Sequence, residues 1–159
     1  MITQQELKEI LDYDPETGIF RWKRKRPGIP KDRVFAGCSG TRGYIRIMLN
    51  GRRYGAHHLA WLYMYGKLTD KYLDHKNGIT SDNRISNLRE ATASQNATNR
   101  KVCRNGLKGA YWYKKRKEWS SAISKDGNRL HLGWFKTEMA AHAAYIEAAS
   151  KLHGEFAKF

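Results

Sequence analysis

Residues 73–96, LDHKNGITSDNRISNLREATASQN, decide how the first part of the chain folds. Asp74-His75 closes an apolar segment, Asn87-Leu88 follows after a polar loop, and Thr92-Ala93-Ser94-Gln95-Asn96 opens a helix. This spacing lets a carboxylate and an imidazole at the end of one strand face an amide on a helix a short loop later. The order of these residues predicts a single site rather than separate surface turns.

The residue types of this site suit metal-assisted cleavage of a phosphodiester. Hard divalent cations prefer oxygen ligands, and magnesium takes one or two of them from the protein beside waters and phosphate oxygens. Asp74 and Asn96 are therefore the predicted metal ligands, with Mg²⁺ or Mn²⁺ as the cofactor. His75, with an ordinary pKa of about 6.5, is the predicted general base. Taken singly, Asp74-His75 is a common surface turn, and Asn83 and Asn87 are common turn residues.

Three stretches carry a resemblance to a known family: residues 56–61, AHHLAW; residues 73–78, LDHKNG; and residues 82–89, DNRISNLR. Over residues 3–100 the chain resembles the HNH endonucleases of phages and mobile introns. The resemblance implies a ββα-metal site, in which His75 ends the first strand, Asn87 precedes the second and Asn96 stands on the helix. It also implies that Asn87 is a catalytic residue beside His75. Asn87 would either orient His75 or brace the metal loop. Asn96 replaces a common histidine, which favours Mg²⁺ or Mn²⁺ over zinc or nickel.

The remainder of the chain resembles a second family, the AP2/ERF DNA-binding domain. The stretches that carry it include residues 119–123, WSSAI, residues 132–135, LGWF, and residues 153–157, HGEFA. It implies three antiparallel strands laid into the major groove of DNA, with a helix packed behind them. The expected fold class is therefore α+β, with an HNH domain at 1–100 and an AP2/ERF-like domain at 101–159.

Local signals predict further elements. Thr3 and Glu6 form a capping box ahead of a short helix, residues 19–22 and 44–49 alternate as strands, and Asn50-Gly51 is the favoured hairpin turn into residues 52–54. A helix is expected over residues 57–65, with Gly66 as its stop and His57 as a structural residue. In the second domain strands are expected at 108–114, 118–123 and 129–135, and a helix capped by Thr137 at 137–152.

Composition points to a polyanionic partner. The chain has 30 Lys and Arg against 15 Asp and Glu, a net charge of +15, which favours nucleic acid. No apolar run approaches the roughly 20 residues that span a bilayer, so no membrane partner is expected. Cys38 and Cys103 form no zinc knuckle, and the start shows no secretory leader, so an intracellular protein of prokaryotic or viral origin is expected. The resemblance to the HNH endonucleases implies a phage gene whose product acts in the cytoplasm of a bacterial host. The predicted DNA contacts are Arg24, Arg26, Arg84, Arg89, Arg100, Lys101, Tyr111, Tyr113, Lys114, Arg116, Arg129 and His131.

We therefore expect a homing-type endonuclease that hydrolyses double-stranded DNA, leaves 5′-phosphate and 3′-hydroxyl ends, and is targeted by its AP2-like domain. A monomer or weak dimer, with no small-molecule cofactor other than the metal, is expected. Two alternatives stay open at this point. One is a DNA-binding transcriptional regulator with an inactive nuclease fold, and the other is a nonspecific RNA-binding protein whose exposed aromatic side chains stack on bases.

Overall fold

The computed structural model describes residues 2–24, 35–98 and 106–157 of a chain that mixes helices and strands, as predicted. The chain divides into two compact units, Met1–Glu90 and Ala91–Phe159. The predicted boundary between Arg100 and Lys101 lies outside the described residues. The elements, in chain order, are α1 Gln4–Ile10, β1 Leu11–Asp14, β2 Ile19–Trp22, β3 Cys38–Ser39, β4 Ile45–Leu49, β5 Arg52–Gly55, α2 Ala56–Tyr65, β6 Tyr72–His75, β7 Leu88–Ala91, α3 Ala93–Thr98, β8 Ala110–Tyr113, β9 Glu118–Lys125, β10 Asn128–Phe135 and α4 Glu138–His153.

Local capping and turn signals set the first elements of the first unit. The Thr3 hydroxyl accepts from the backbone N–H of Glu6, whose carboxylate accepts from the Thr3 N–H, so the predicted capping box is confirmed. The chain then enters β1, a strand that we did not predict, and β1 pairs antiparallel with β2. Asn50 and Gly51 both have positive φ and join β4 to β5 in the predicted hairpin.

Helix α2 lies beneath this hairpin and ends where predicted, because Gly66 adopts a left-handed conformation with φ 76°. Such a residue closes a helix without the steric cost that a side chain would bring. The buried side chains of α2 pack with those of α1 and of the two hairpins. This core comprises Ile2, Leu7, Leu11, Tyr13, Phe20, Ala36, Ile47, Leu49, Ala56, Leu59, Ala60, Leu62 and Leu88. Strands β6 and β7 form a separate two-stranded sheet.

The second unit has an antiparallel sheet of three strands in the order β10–β9–β8, with α4 packed against it. Asp126 and Gly127 have φ of 50° and 82°, which joins β9 to β10 through a tight turn. The Thr137 hydroxyl accepts from the Ala140 N–H and caps α4, as predicted. The core of this unit is built on Ile123, Tyr145 and Ala149. Along the described residues, no helix combines the length and apolar character needed to cross a membrane.

Among the described glycines of the first unit, Gly18, in the turn between β1 and β2, leaves the least room for a side chain. Its φ is 72°, and a Cβ built there would stand 2.4 Å from the backbone N of Arg84 and 2.5 Å from the backbone C of Asn83. Backbone atoms cannot swing away as a flexible side chain does. The hairpin and the loop after β6 therefore fit together only when residue 18 is glycine.

We expect Gly18→Ala to lower the free energy of unfolding by about 3 kcal/mol, combining left-handed strain with the forced shift of the loop. Gly51→Ala is a matched control, because Gly51 has φ of 75° but a Cβ added to it would meet no atom within 4 Å. That variant should lose only about 1–2 kcal/mol. Urea unfolding of both variants measures the difference, and equal losses would contradict the close contact.

Candidate active site

The candidate active site is built around the last two residues of β6. Asp74 and His75 are 5% and 3% exposed, and His75 ends the strand as predicted. Residues 76–87 form the loop that returns to β7, and Asn87 precedes that strand, again as predicted. The Lys76 N–H donates to the Asn87 carbonyl at 2.8 Å and closes the base of the loop. Asp74 and His75 thus lie on a short, hydrogen-bonded frame.

Asp74 forms an ion pair with Arg89 from the neighbouring strand. The Nε and Nη2 atoms of Arg89 both lie 2.9 Å from Oδ2 of Asp74, and the two side chains are only 11% and 6% exposed. A carboxylate this buried needs a hydrogen-bonded countercharge, because leaving it unpaired would cost several kcal/mol. Arg89 was predicted to contact DNA; the structure places its guanidinium against Asp74 instead of in an exposed loop.

His75 contacts Asn83, a residue that the sequence marked only as a turn. Nε2 of His75 lies 3.4 Å from Oδ1 of Asn83. Asn83 is buried, its side-chain amide donates to the Ser81 carbonyl, and its own carbonyl accepts from the Tyr13 hydroxyl at 2.7 Å. Burial lowers the pKa of His75, although Asn83 and nearby carboxylates act in the opposite direction. The imidazole is therefore neutral at pH 7 and able to accept a proton.

Asn87 braces the loop. Its Oδ1 accepts from the Asn77 N–H at 3.0 Å, while its Nδ2 donates to the Asn77 side chain and to the Asp82 carbonyl. Of the two roles expected for Asn87, these contacts correspond to holding the loop in shape. By hydrogen bonding the backbone of both Asn77 and Asp82, the Asn87 side chain holds these two parts of the loop together.

A second carboxylate in the loop is neutralised by Arg84. Asp82 accepts from Nε and Nη2 of Arg84 at 2.9 and 2.6 Å, and from the Asn77 amide at 2.7 Å. The Arg84 hydrogen bond is the main reason that the pKa of Asp82 falls to about 2. Arg84, another predicted DNA contact, is exposed but carries this partner.

Aromatic and imidazole rings also pack near His75. The His57 ring lies 5.3 Å from the His75 ring and 4.2 Å from the His58 ring, and Tyr44 lies 5.3 Å from His57 and 5.8 Å from His75. Nδ1 of His57 is buried without a hydrogen-bond partner in the described part of the chain. Burial, with smaller effects of His58 and His75, lowers the pKa of His57 to about 3. These rings contribute to the burial of His75.

Asn96 lies on α3, as predicted, in the second unit. Thr92 and Gln95 cap this helix reciprocally: the Gln95 N–H donates to the Thr92 hydroxyl, and the Thr92 N–H donates to Oε1 of Gln95. The predicted ligands Asp74 and Asn96 are oxygen donors, which fits Mg²⁺ or Mn²⁺ by donor chemistry. Among the described residues, no cluster of three or more His, Cys, Asp or Glu side chains could hold a metal ion.

The structure describes most of the other predicted DNA contacts. Arg24 is exposed in the first unit, while Arg26, Arg100 and Lys101 lie outside the described residues. The described ones in the second unit are exposed on β8, on β10 or in the turn after β8: Tyr111, Tyr113, Lys114, Arg116, Arg129 and His131.

The low pKa of His57 makes the stability of the protein depend on pH. Below about pH 6.5 the unfolded chain protonates this histidine, whereas the folded protein does so only near pH 3. The free energy of unfolding should therefore fall as the pH falls through this window, with about 2 kcal/mol from His57 alone at pH 5. His57→Gln should reduce the loss between pH 7 and pH 5 by that amount in urea titrations. An unchanged pH dependence in the variant would contradict the assignment.

The chain is similar to one known family and to two known proteins. A family model described as HNH endonuclease matches residues 54–98, which include β6, the loop, β7 and α3. Protein 3.8 of Escherichia phage T7 is 31% identical over 92 residues, which cover 55% of this chain and 74% of that protein. A solved structure titled "DNA binding and cleavage by the HNH homing endonuclease I-HmuI" aligns with 90% of this chain and 84% of its own, at 20% identity and a TM-score of 0.42, a likeness too slight to support an argument. The chain therefore belongs to the same family as Protein 3.8 of phage T7, and its residues 54–98 are an HNH endonuclease domain.

Proposed function

We propose that the chain is a metal-dependent DNA endonuclease of the homing type, which hydrolyses phosphodiester bonds and leaves 5′-phosphate and 3′-hydroxyl ends. The observation that carries the proposal is the buried, neutral His75 beside Asp74 at the end of β6. A neutral imidazole in a site of restricted water access is a suitable general base for an attacking water.

His75 would act through one particular nitrogen. An amide oxygen can only accept a hydrogen bond, so the contact between Oδ1 of Asn83 and Nε2 of His75 supports a neutral ring that carries its proton on Nε2. Nδ1 then carries the lone pair and takes the proton from water. The Asn83 contact also becomes stronger as the ring gains positive charge, which stabilises the product of that proton transfer.

Asp74 and Asn96 stay the proposed metal ligands, with Mg²⁺ or Mn²⁺ as the ion. When bound, the ion would supply positive charge to the phosphate and to the departing 3′ oxygen. The Arg89 guanidinium, whose Nη2 lies 2.9 Å from Oδ2 of Asp74, supplies a countercharge to this carboxylate within its buried surroundings.

The second unit is proposed to be an AP2/ERF-like module that targets double-stranded DNA. Three antiparallel strands backed by one helix, with exposed Arg129 and His131 on β10, support this assignment. The net charge of +15 supports a polyanionic partner. We further propose a phage-encoded enzyme that acts in the cytoplasm of its host bacterium as a monomer or weak dimer, without a membrane partner.

One observation favours a second candidate function. Oδ2 of Asp74 accepts from Nε of Arg89 and forms an ion pair with its Nη2, and this buried guanidinium would compete with a metal ion for the same oxygen. An HNH domain held in this pairing would be silent, and the protein would act as a DNA-binding transcriptional regulator.

Cleavage of supercoiled plasmid and phage genomic DNA with Mg²⁺, Mn²⁺ or EDTA tests the two functions. His75→Ala and Asp74→Asn should each lower the rate at least about 100-fold, the minimum usually seen on loss of a general base. Asp70→Asn is the matched control, because Asp70 is exposed just before β6 and has no part in the site. DNA that is bound yet uncut in every metal would refute the endonuclease and favour the regulator.

Asn83 should matter for rate rather than for substrate binding. We expect Asn83→Ala to lower kcat about 10- to 100-fold with little change in KM, because it loosens the imidazole without touching DNA. The lower limb of the pH–rate profile should also shift to lower pH, since the Asn83 contact raises the pKa of His75 and its removal lowers that pKa. A change confined to KM would show that Asn83 contacts the substrate instead.

A further inference from the structure

Four rings share the face of the second unit's sheet that α4 leaves open. Because side chains alternate along a strand, Tyr111 and Tyr113 point away from Trp112 between them. The Tyr113 and Trp134 rings lie 5.1 Å apart, and His131 lies 5.0 Å from Trp134. Tyr111 pairs with Ser120, which also pairs with Trp134, so this ring belongs to the same face. We call Tyr111, Tyr113, His131 and Trp134 the ring face.

Exposure of the ring face to water is unfavourable, because its rings carry apolar surface. Tyr111, Tyr113 and Trp134 are 53%, 43% and 36% exposed. The opposite face of the sheet is occupied, since Ile123 packs with Leu132 and Tyr145. Grouped exposed aromatic side chains on a small domain are typical of a binding surface rather than of chance exposure.

Cations accompany the rings. The Arg116 guanidinium lies 4.7 Å from the Trp134 ring centre, and that of Arg129 lies 5.4 Å from the Tyr111 ring centre. The turn between β8 and β9 reads Lys114-Lys115-Arg116-Lys117, four basic residues in a row. Glu118 forms an ion pair with Arg116 at 3.4 Å and offsets part of that charge. The surface therefore combines flat apolar rings with positive charge at their edges.

These two properties together favour a single-stranded nucleic acid over a duplex. A duplex presents its phosphates and the edges of its bases, whereas the flat faces of the bases are stacked inside it. Unpaired nucleotides expose those faces, and stacking on aromatic side chains beside a basic path is how single strands are held without regard to sequence. Because the chain carries an HNH endonuclease domain, we take the strand to be DNA.

We propose that the ring face binds unpaired nucleotides of single-stranded DNA, with bases stacked on Tyr111, Tyr113 and Trp134 and phosphates paired with Arg116 and Arg129. The inference rests on the proposed nucleic-acid role of the second unit and narrows it, since on the ring face unpaired nucleotides take the place of the duplex proposed above.

The test measures binding by the full chain in EDTA, so that cleavage plays no part. Fluorescein-labelled single-stranded DNA of about 16 nucleotides, the matching duplex and the matching RNA strand are titrated, and anisotropy is recorded. Trp134→Ala and Tyr111→Ala should each weaken single-strand binding about tenfold, while duplex binding changes less than about twofold. Trp134→Phe should keep most of the affinity, because it keeps a flat ring.

Trp112→Ala is the matched control. Trp112 is 48% exposed on the same strand but faces the other way, against Trp119. It should leave single-strand affinity unchanged, and circular dichroism of all variants confirms that the sheet has folded.

Equal losses on single strand and duplex, or no loss on the single strand, would overturn the proposal. Tighter binding of the RNA strand that depends on Trp134 would overturn the choice of DNA. These outcomes are separable from the endonuclease itself: DNA left uncut in Mg²⁺ with the single-strand effect intact counts against the nuclease alone. Cleavage without that effect counts against the ring face alone.

Discussion

The burial of Asp74 and His75 is the constraint on which the first unit depends. Each of these groups needs a polar partner inside the protein, and each takes one from a different part of the chain: Arg89 from β7 and Asn83 from the loop. Asn83 is in turn fixed by the Tyr13 hydroxyl and by the close approach of Gly18. The N-terminal hairpin thus acts on the site without contributing a reactive group.

Elements with a local cause could be predicted from the sequence. The capping box at Thr3, the Asn50-Gly51 turn, the stop at Gly66 and the cap at Thr137 each depend on residues a few positions apart, and the structure contains all four. The positions of the site residues on strand, loop and helix followed from the resemblance to the HNH endonucleases. Strand β1 was missed, because four residues next to a helix show little alternation of their own and depend on pairing with β2.

The partners of the site residues could not be predicted, because they are distant in the chain. Asn83 resembled an ordinary turn residue, and only the hydroxyl of Tyr13, 70 residues away, turns its carbonyl inward. Arg89 resembled a surface cation for the same reason. His57 was expected to be structural; its contact with the His75 ring arises from tertiary packing of α2, which no local pattern encodes.

The make-up of the hydrophobic core has a consequence for how this nuclease motif can be inherited or transplanted. More than half of the core's buried side chains, from Ile2 to Leu49, precede residue 54, where the match to the HNH family begins. A fragment limited to residues 54–98 would contain Asp74 and His75 but would lack more than half of the core side chains of the first unit. A transferable form of this domain therefore has to be longer than residues 54–98, and recombination would have to move residues 2–53 together with them.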